Sequence, residues 1–415
     1  MKFKKLLLLS LLFCSDSFFL SAQNGWTVYN MSNSGLLSNA IYALAIDSSG
    51  NKWIGTDYGL AFFDGTAWTV YTTANSMLPD NSIRAICIDS VGTKWIGTLN
   101  SGLVRFDGTT WTNWNTGNSS IPDNAVHAII TDSQGNKWLG TEYGLAKFDD
   151  LIFSTWNSSN SAFLSSNVSA LALMKGDTLA VGTLNGGLTY FKDSVISIYT
   201  NANSPMLDNS ILAIGIDSSG TRWIGTPAAG LMVHYYDTVF QHFGIPEGAL
   251  SNTFNCVFID SLQKKFLGSQ LNGLVVYDGS SWVSHHISNA GIPDNYVNTV
   301  AKDDSGFVWV GTQNGLGKWD EDWVDTSSAA LQDLTPAEIG IYPNPVKHSD
   351  SFQIKTSCEI SSLSFFNVTG EKIICEMTAG QSDCYSLNSP REAGIYFLHV
   401  VFSSGRTNIF PFVVN

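Results

Sequence analysis

The chain has 415 residues, of which only 13% are charged and 12% aromatic, and it carries a formal net charge of −14. Gly, Asn, Ser and Thr crowd the intervals between short apolar runs and long helical periodicity is absent, which describes an all-β protein rich in turns. The acidic balance repels phosphate backbones and anionic lipid; it argues against nucleic acid and leaves neutral glycans, cations or proteins as partners.

At the N-terminus, Lys2, Lys4 and Lys5 precede the apolar run Leu6 to Cys14, then Phe18 to Leu20 and Ser21-Ala22-Gln23. This pattern fits a secretory signal cut near Ala22. No later apolar run is long enough to span a bilayer, so no transmembrane segment is expected after cleavage. Export implies an oxidising compartment, yet the remaining Cys87, Cys256, Cys358, Cys375 and Cys384 are odd in number and lack metal-ligand spacing. Cys87 and Cys256 are expected as small core residues; a bridge among the last three is left unassigned.

From Asn51 onward the chain is dominated by one unit, Asn51-Lys52-Trp53-Ile54-Gly55-Thr56-Asp57-Tyr58-Gly59-Leu60 and its near-copies. Aligned on the Gly of the Gly-Thr pair, the copies fall at Gly55, Gly97, Gly140, Gly182, Gly225, Gly268 and Gly311, at spacings of 42 or 43 residues. Each unit divides into four short runs, which predicts a seven-bladed β-propeller with four-stranded blades. Asp-Ser-x-Gly and Asp-Gly segments supply tight hairpins, and the longer Asn- and Pro-bearing interval carries the chain from one blade's outer strand to the next blade's inner strand. The run Trp26 to Tyr29 precedes the first inner strand and is expected to complete the last blade, with Trp323-Val324 as a competitor for that slot.

The run Asp-Ser-x-Gly-x-x-Trp-Ile-Gly-Thr-x-x-Gly-Leu resembles the two-component-regulator propeller repeat over roughly residues 24 to 326. The resemblance implies a propeller of a kind associated with carbohydrate sensing, without the kinase and DNA-binding parts of those regulators. Beyond a Ser/Ala/Thr-rich linker, Ile341-Tyr342-Pro343-Asn344-Pro345, Asn367-Val368-Thr369-Gly370-Glu371 and Ala393-Gly394-Ile395-Tyr396-Phe397 occur in order. These landmarks resemble the C-terminal sorting domain of the type IX secretion system, which implies handling by that machinery and delivery through the periplasm and outer membrane to the medium or the cell surface. The expected organisation is therefore a signal peptide at 1–22, the propeller at 23–326, a linker at 327–340 and a small β-sandwich sorting domain at 341–415.

The seven copies act as internal controls for function. Gly of Gly-Thr and the Gly-Leu pair occur in all seven and are assigned to the scaffold. Trp53, Trp95, Trp138, Trp223 and Trp309 give way to Ala180 and Phe266 in the other two units, and packing between blades explains them better than a stacking platform for sugars. The repeated Asp47, Asp89, Asp132, Asp217, Asp260 and Asp303 are expected to cap turns, since calcium needs several convergent oxygens.

Strand order puts the blade-to-blade crossings and the second-to-third-strand loops on one side, where the residues vary. Those loops offer Asp57, Tyr58, Asn100, Glu142, Tyr143, Asn185, Gln270, Asn272, Gln313 and Asn314, a set of amides, carboxylates and tyrosines suited to sugar recognition. A second variable set near the inner-strand starts contains Tyr42, Arg84, His127, Ser169, Leu212, Asn255 and Asn298. Period two places these with Leu44, Ile86 and Ile129 as ordinary packed residues, whereas their position near the channel mouth points to ligand contact. Arg84 and His127, on neighbouring blades, suit acid–base work. No nucleophile elbow, metal-ligand cluster or phosphate loop occurs, so no catalytic residue, metal or cofactor is assigned. The expected function is binding of an extracellular ligand, foremost a glycan; a polysaccharide lyase or hydrolase and a protein-binding adhesin are the alternatives.

Overall fold

The computed structural model describes residues 25–235, 239–244 and 250–322, together with strands between residues 340 and 414. The expected signal peptide, most of the linker and the Trp323-Val324 closure lie outside the described residues, as do the side chains of Cys358, Cys375 and Cys384. The chain divides into two compact units, Met1–Val324 and Asp325–Asn415. The described part of the second contains two four-stranded antiparallel sheets, one holding Ser351–Lys355 and the other Ile360–Asn367 and Gly394–Phe402.

The first unit is a seven-bladed β-propeller. Blade 2 is typical: Ile83–Ile88, Lys94–Thr98, Leu103–Phe106 and Trp111–Trp114 form a four-stranded antiparallel meander. The inner strand of each blade touches that of the next, and the inner strand of blade 7, Val297–Lys302, touches Ile41–Ile46 of blade 1, so the ring closes. Trp26–Tyr29 pairs antiparallel with Gly315–Trp319 as the outer strand of blade 7, with Trp26 opposite Trp319. This N-terminal strand fills the slot that would otherwise expose an unpaired edge.

Local chemistry explains the repeated letters. In blade 2, Asp89 Oδ1 accepts from the Val91 and Thr93 amides at 3.1 and 2.9 Å, while Oδ2 accepts from Trp95 Nε1 at 2.9 Å. The aspartates thus cap their turns as expected and also orient the indole. A cation from the following blade covers the ring: Lys137 Nζ lies 4.3 Å from the Trp95 centroid, as Lys94 does over Trp53 at 4.6 Å and Lys52 over Trp309 at 4.4 Å. The hydroxyl of each Gly-Thr or Gly-Ser pair donates to the carbonyl of the glycine across its loop, as Thr98 Oγ1 does to Gly102 at 2.9 Å and Ser269 Oγ to Gly273 at 2.9 Å. Crossings are tied by asparagines; Asn75 Oδ1 accepts from the Thr72 amide at 2.7 Å and its Nδ2 donates to the Val70 carbonyl at 3.0 Å.

Cys87 and Cys256 are free thiols packed against the core, and burial pushes Cys256 up to about 12.

Two stability predictions follow from these contacts. Replacing the buried Trp95 by Ala removes the indole that two blades share and is expected to lower unfolding free energy by about 3–5 kcal/mol, whereas Val91→Ser in the adjacent exposed turn should change it by less than about 0.5 kcal/mol. Denaturant titration of both variants checks the contrast. At the seam, His285 packs beside the stacked Trp26 and Trp319 with ring centroids 6.0 and 4.2 Å away, and burial lowers its pKa from 6.5 to about 4. The fold therefore holds the neutral ring, its contribution is complete above the unfolded value, and stability is lost as pH falls through the window between 6.5 and about 4. His285→Phe should weaken the drop in melting temperature on acidification from about pH 7 to about pH 5; an unchanged drop would place the acid sensitivity elsewhere.

Candidate functional site

Each inner strand except that of blade 5 begins with a register shift. In blade 1, Ile41 pairs with Thr56 and Ala43 with Gly55, leaving Tyr42 as the extra residue of a β-bulge. The same shift isolates Arg84, His127, Ser169, Asn255 and Asn298 in their blades. In blade 5, whose strand starts at Ala213, Leu212 holds the corresponding position. A bulge breaks the two-residue alternation and re-aims a side chain. Ile41, rather than Tyr42, joins Leu44 and Ile46 in the core, and likewise Ile83 joins Ile86 and Ile88. The packed reading that period two suggests is therefore corrected for the six bulged positions, because that count omits the extra residue.

All seven positions line one cavity of about 530 Å³, within the range of small-ligand sites. Glu142, Leu184 and Gln313 enter it from second-to-third-strand loops, and Asn167 and Tyr296 from the ends of crossings, so both loop classes border the same mouth.

The wall divides into two arcs. On blades 4, 6 and 7 the bulge residues are spent on closing the ring. Ser169 Oγ donates to the Ile211 carbonyl; Asn255 Nδ2 donates to Val297 O at 3.1 Å and Asn298 Nδ2 to Ile41 O at 2.8 Å, each reaching the next blade's backbone. Blades 1 to 3 differ. The Arg84 guanidinium lies 4.0 Å over the Tyr42 ring and its Nη2 meets Asp57 Oδ1 at 2.8 Å, while Ser82 Oγ donates to the same oxygen at 3.1 Å. Burial alone would raise the Asp57 carboxyl, but hydrogen bonds from Arg84 and Tyr42 outweigh it and hold it below its ordinary value. Burial also raises the Tyr42 phenol, with Asp57 adding to the shift and Arg84 opposing it. Next along the ring, burial lowers His127 against the opposing charges of Glu142 and Asp123, with Arg84 reinforcing the shift, so its imidazole is neutral at neutral pH.

Of the candidate residues, Tyr42, Arg84, His127, Glu142, Asn255, Asn298 and Gln313 meet at the cavity. Asp57 supports Arg84, and Gln270 Nε2 donates to Asn255 Oδ1 at 3.3 Å. Tyr58 and Tyr143 follow Asp57 and Glu142 in their loops and stand 64% and 60% exposed. Asn100, Asn185, Asn272 and Asn314 are not among the lining residues. Asn100 Nδ2 meets Asp80 at 3.2 Å, Asn185 Oδ1 accepts from Ser210 Oγ at 3.1 Å, and Asn314 Oδ1 accepts from Asn39 Nδ2 at 3.2 Å, so these three amides fasten second-to-third-strand loops to crossings. Asn272 turns its own loop through its backbone amide, which donates to Ser269 Oγ at 2.8 Å. Sequence reasoning missed Asn167 and Tyr296; each immediately precedes an inner strand, where the copies also vary. Among the described residues no group of His, Cys, Asp and Glu has the arrangement of a metal site.

Residues 291–314 match the two-component regulator propeller, and residues 340–413 match the secretion system C-terminal sorting domain. The chain thus carries a regulator-type propeller repeat and a sorting tail. The tail assigns the protein to export by the type IX system across the outer membrane, to the cell surface or the medium. No curated protein matches the sequence. Among solved structures, the extracellular domain of the putative hybrid two component system BT3049 from B. thetaiotaomicron is similar at 17% identity and a TM-score of 0.66, covering 94% of this chain and 57% of that one. PorZ, a surface component of the type-IX secretion system of Porphyromonas gingivalis, is similar at 16% identity and a TM-score of 0.57, covering 93% of this chain and 61% of that one. The chain therefore spans less than two thirds of either protein. Virginiamycin B lyase from Staphylococcus aureus is similar at 14% identity and a TM-score of 0.58, over 71% of this chain and 98% of the lyase. At these identities the likeness establishes a shared propeller fold.

The two arcs separate by mutation. Asn298→Ala removes a bond to the next blade and is expected to lower stability by about 1 kcal/mol. Arg84→Ala removes side-chain contacts to Asp57 and Tyr42 of blade 1 but spares the backbone ties, so a smaller loss is expected, and equal destabilisation of the blade 7 and blade 2 variants in denaturant titrations would erase the distinction.

Proposed function

We propose that this secreted propeller binds an extracellular glycan at the mouth of its channel, through the wall built by blades 1 to 3. The observation that carries the reading is the division of the cavity. Ring closure engages Ser169, Asn255 and Asn298 on the next blade's backbone, whereas Tyr42, Arg84, His127 and Glu142 form a polar and aromatic wall whose contact between blades, Arg84 with Tyr42 and Asp57 of blade 1, is made from side chain to side chain. Sugar recognition calls for directional hydrogen bonds beside an apolar ring face. The exposed rings of Tyr58 and Tyr143, on the loops flanking blade 2, add two such faces at the rim. The association of the regulator repeat with carbohydrate sensing agrees with this reading, as does delivery outside the cell.

A glycan array probed with the full chain is expected to show retention on a restricted set of glycans without release of shortened products. The double variant Tyr58→Ala, Tyr143→Ala should weaken that retention about tenfold while leaving the melting temperature unchanged. Unchanged retention would move the site off this face; accumulation of cleaved product would replace the binding role with a lyase or hydrolase; silence on all glycans would favour a protein ligand.

A further inference from the structure

The chemistry of the cavity wall selects among glycans, and this step rests on the glycan-binding reading above. We propose that the ligand carries a protonated amine, as a sugar chain containing free hexosamine does, and that Glu142 is its counter-charge.

A backbone carbonyl can only accept, so the contacts of Asn255 with Val297 O and of Asn298 with Ile41 O fix which end of each amide faces the ring. Their NH₂ groups are turned to the scaffold, and the Asn255 oxygen in turn accepts from Gln270 Nε2 at 3.3 Å. The Ser169 hydroxyl is spent in the same way on the Ile211 carbonyl. The Tyr42 hydroxyl is engaged with Asp57 and Gln313, and Arg84 Nη2 with Asp57. Two atoms of lining residues, Arg84 Nη1 and Asn167 Oδ1, are buried and have no hydrogen-bond partner among the described residues. Among the groups left at the cavity are the Glu142 carboxylate, the His127 ring, which in its neutral form has one acceptor and one donor nitrogen, and the Tyr296 hydroxyl; of these Glu142 carries the charge.

Charge points the same way. Arg84 is the one cationic side chain among the described residues that line the cavity, and Asp57 neutralises it. Glu142 forms no ion pair among the described residues, so the wall carries one uncompensated negative charge on a chain of net charge −14. An anionic sugar would meet repulsion, and a neutral one would leave the carboxylate unmatched. An ammonium supplies the opposite charge and three donors to Glu142.

The experiment compares three probes on the full chain by calorimetry, at a pH where the amine is protonated: a glucosamine oligomer, the same oligomer fully N-acetylated, and an oligogalacturonate. The expected result is binding of the free-amine oligomer on the order of tenfold tighter than its N-acetylated form, weakening with added salt, with the oligogalacturonate bound most weakly. Glu142→Gln, an exposed and isosteric change, should abolish the preference for the amine, lowering the affinity for the free-amine oligomer on the order of tenfold toward that for its N-acetylated form. Equal affinity for the amine and its acetylated form, or preference for the oligogalacturonate, overturns this inference while leaving glycan binding standing. Absence of binding to every glycan on the wider array defeats the glycan reading itself.

Discussion

Each blade meets the next at a glycine, and the architecture depends on that contact. A Cβ placed on the Gly of the Gly-Thr pair would fall 2.5 to 2.8 Å from a residue at or just before the start of the neighbouring blade's inner strand: Gly55 against Ile83, Gly97 against Val126, Gly140 against Val168, Gly182 against Ile211, Gly225 against Phe254, Gly268 against Val297 and Gly311 against Ile41. No real side-chain carbon tolerates that separation, so any other residue would push two blades apart. Because the ring is closed, a displacement at one junction has to be absorbed around the circle, and interiors packed at crystal density have little slack for it. This explains why the glycine is held in every copy while the tryptophan two residues earlier is not.

The same contact positions the candidate site. The residue that wedges onto the glycine is large, apolar and fully buried in every blade, and in six of the seven it is the last residue before the bulge. With that residue fixed against the neighbour, the extra residue after it has no place in the core and turns to the channel. A structural requirement repeated seven times thus generates seven adjacent positions whose side chains are released from packing. Arg84 in blade 2 and Leu212 in blade 5 occupy corresponding places with opposite chemistry, which the scaffold tolerates because neither supplies the wedge.

Much of this was legible in the sequence. The 42- or 43-residue period, the division of each unit into four runs and the early Trp26 to Tyr29 strand together specify a closed propeller, and comparison of the copies separates scaffold from variable positions. The bulge was not legible, because alternation counts residues two at a time and an inserted one is visible only through its pairing partner. That omission left Tyr42, Arg84 and His127 undecided between core and site. The opposite error touched Asn100, Asn185 and Asn314: variable amides on the correct side of the ring, but bonded to crossing loops. Composition identifies a residue able to recognise a sugar; only geometry shows whether its hydrogen bonds are already engaged.

The junctions that lack tryptophan show what the repeat conserves. At blade 4, where Ala180 stands, the Tyr190 ring takes the place of the indole, its hydroxyl bonds His234 Nδ1, and Arg222 stacks 4.7 Å above it. At blade 6, Phe266 replaces the indole, and Lys302 lies 5.4 Å over its ring while bridging Asp260 and Glu321, both at 3.0 Å. In each case an aromatic face between blades is covered by a cation from the following blade, although the residues supplying the parts have changed. The arrangement of roles persists where the letters do not. A cation over an aromatic ring is attractive by about 0.5–2 kcal/mol depending on desolvation, so substitutions that rebuild the pair need not disturb the glycine contact beneath it. The repeat can therefore drift at its packing aromatics and vary freely at its bulges, while the backbone approach that closes the ring stays unchanged.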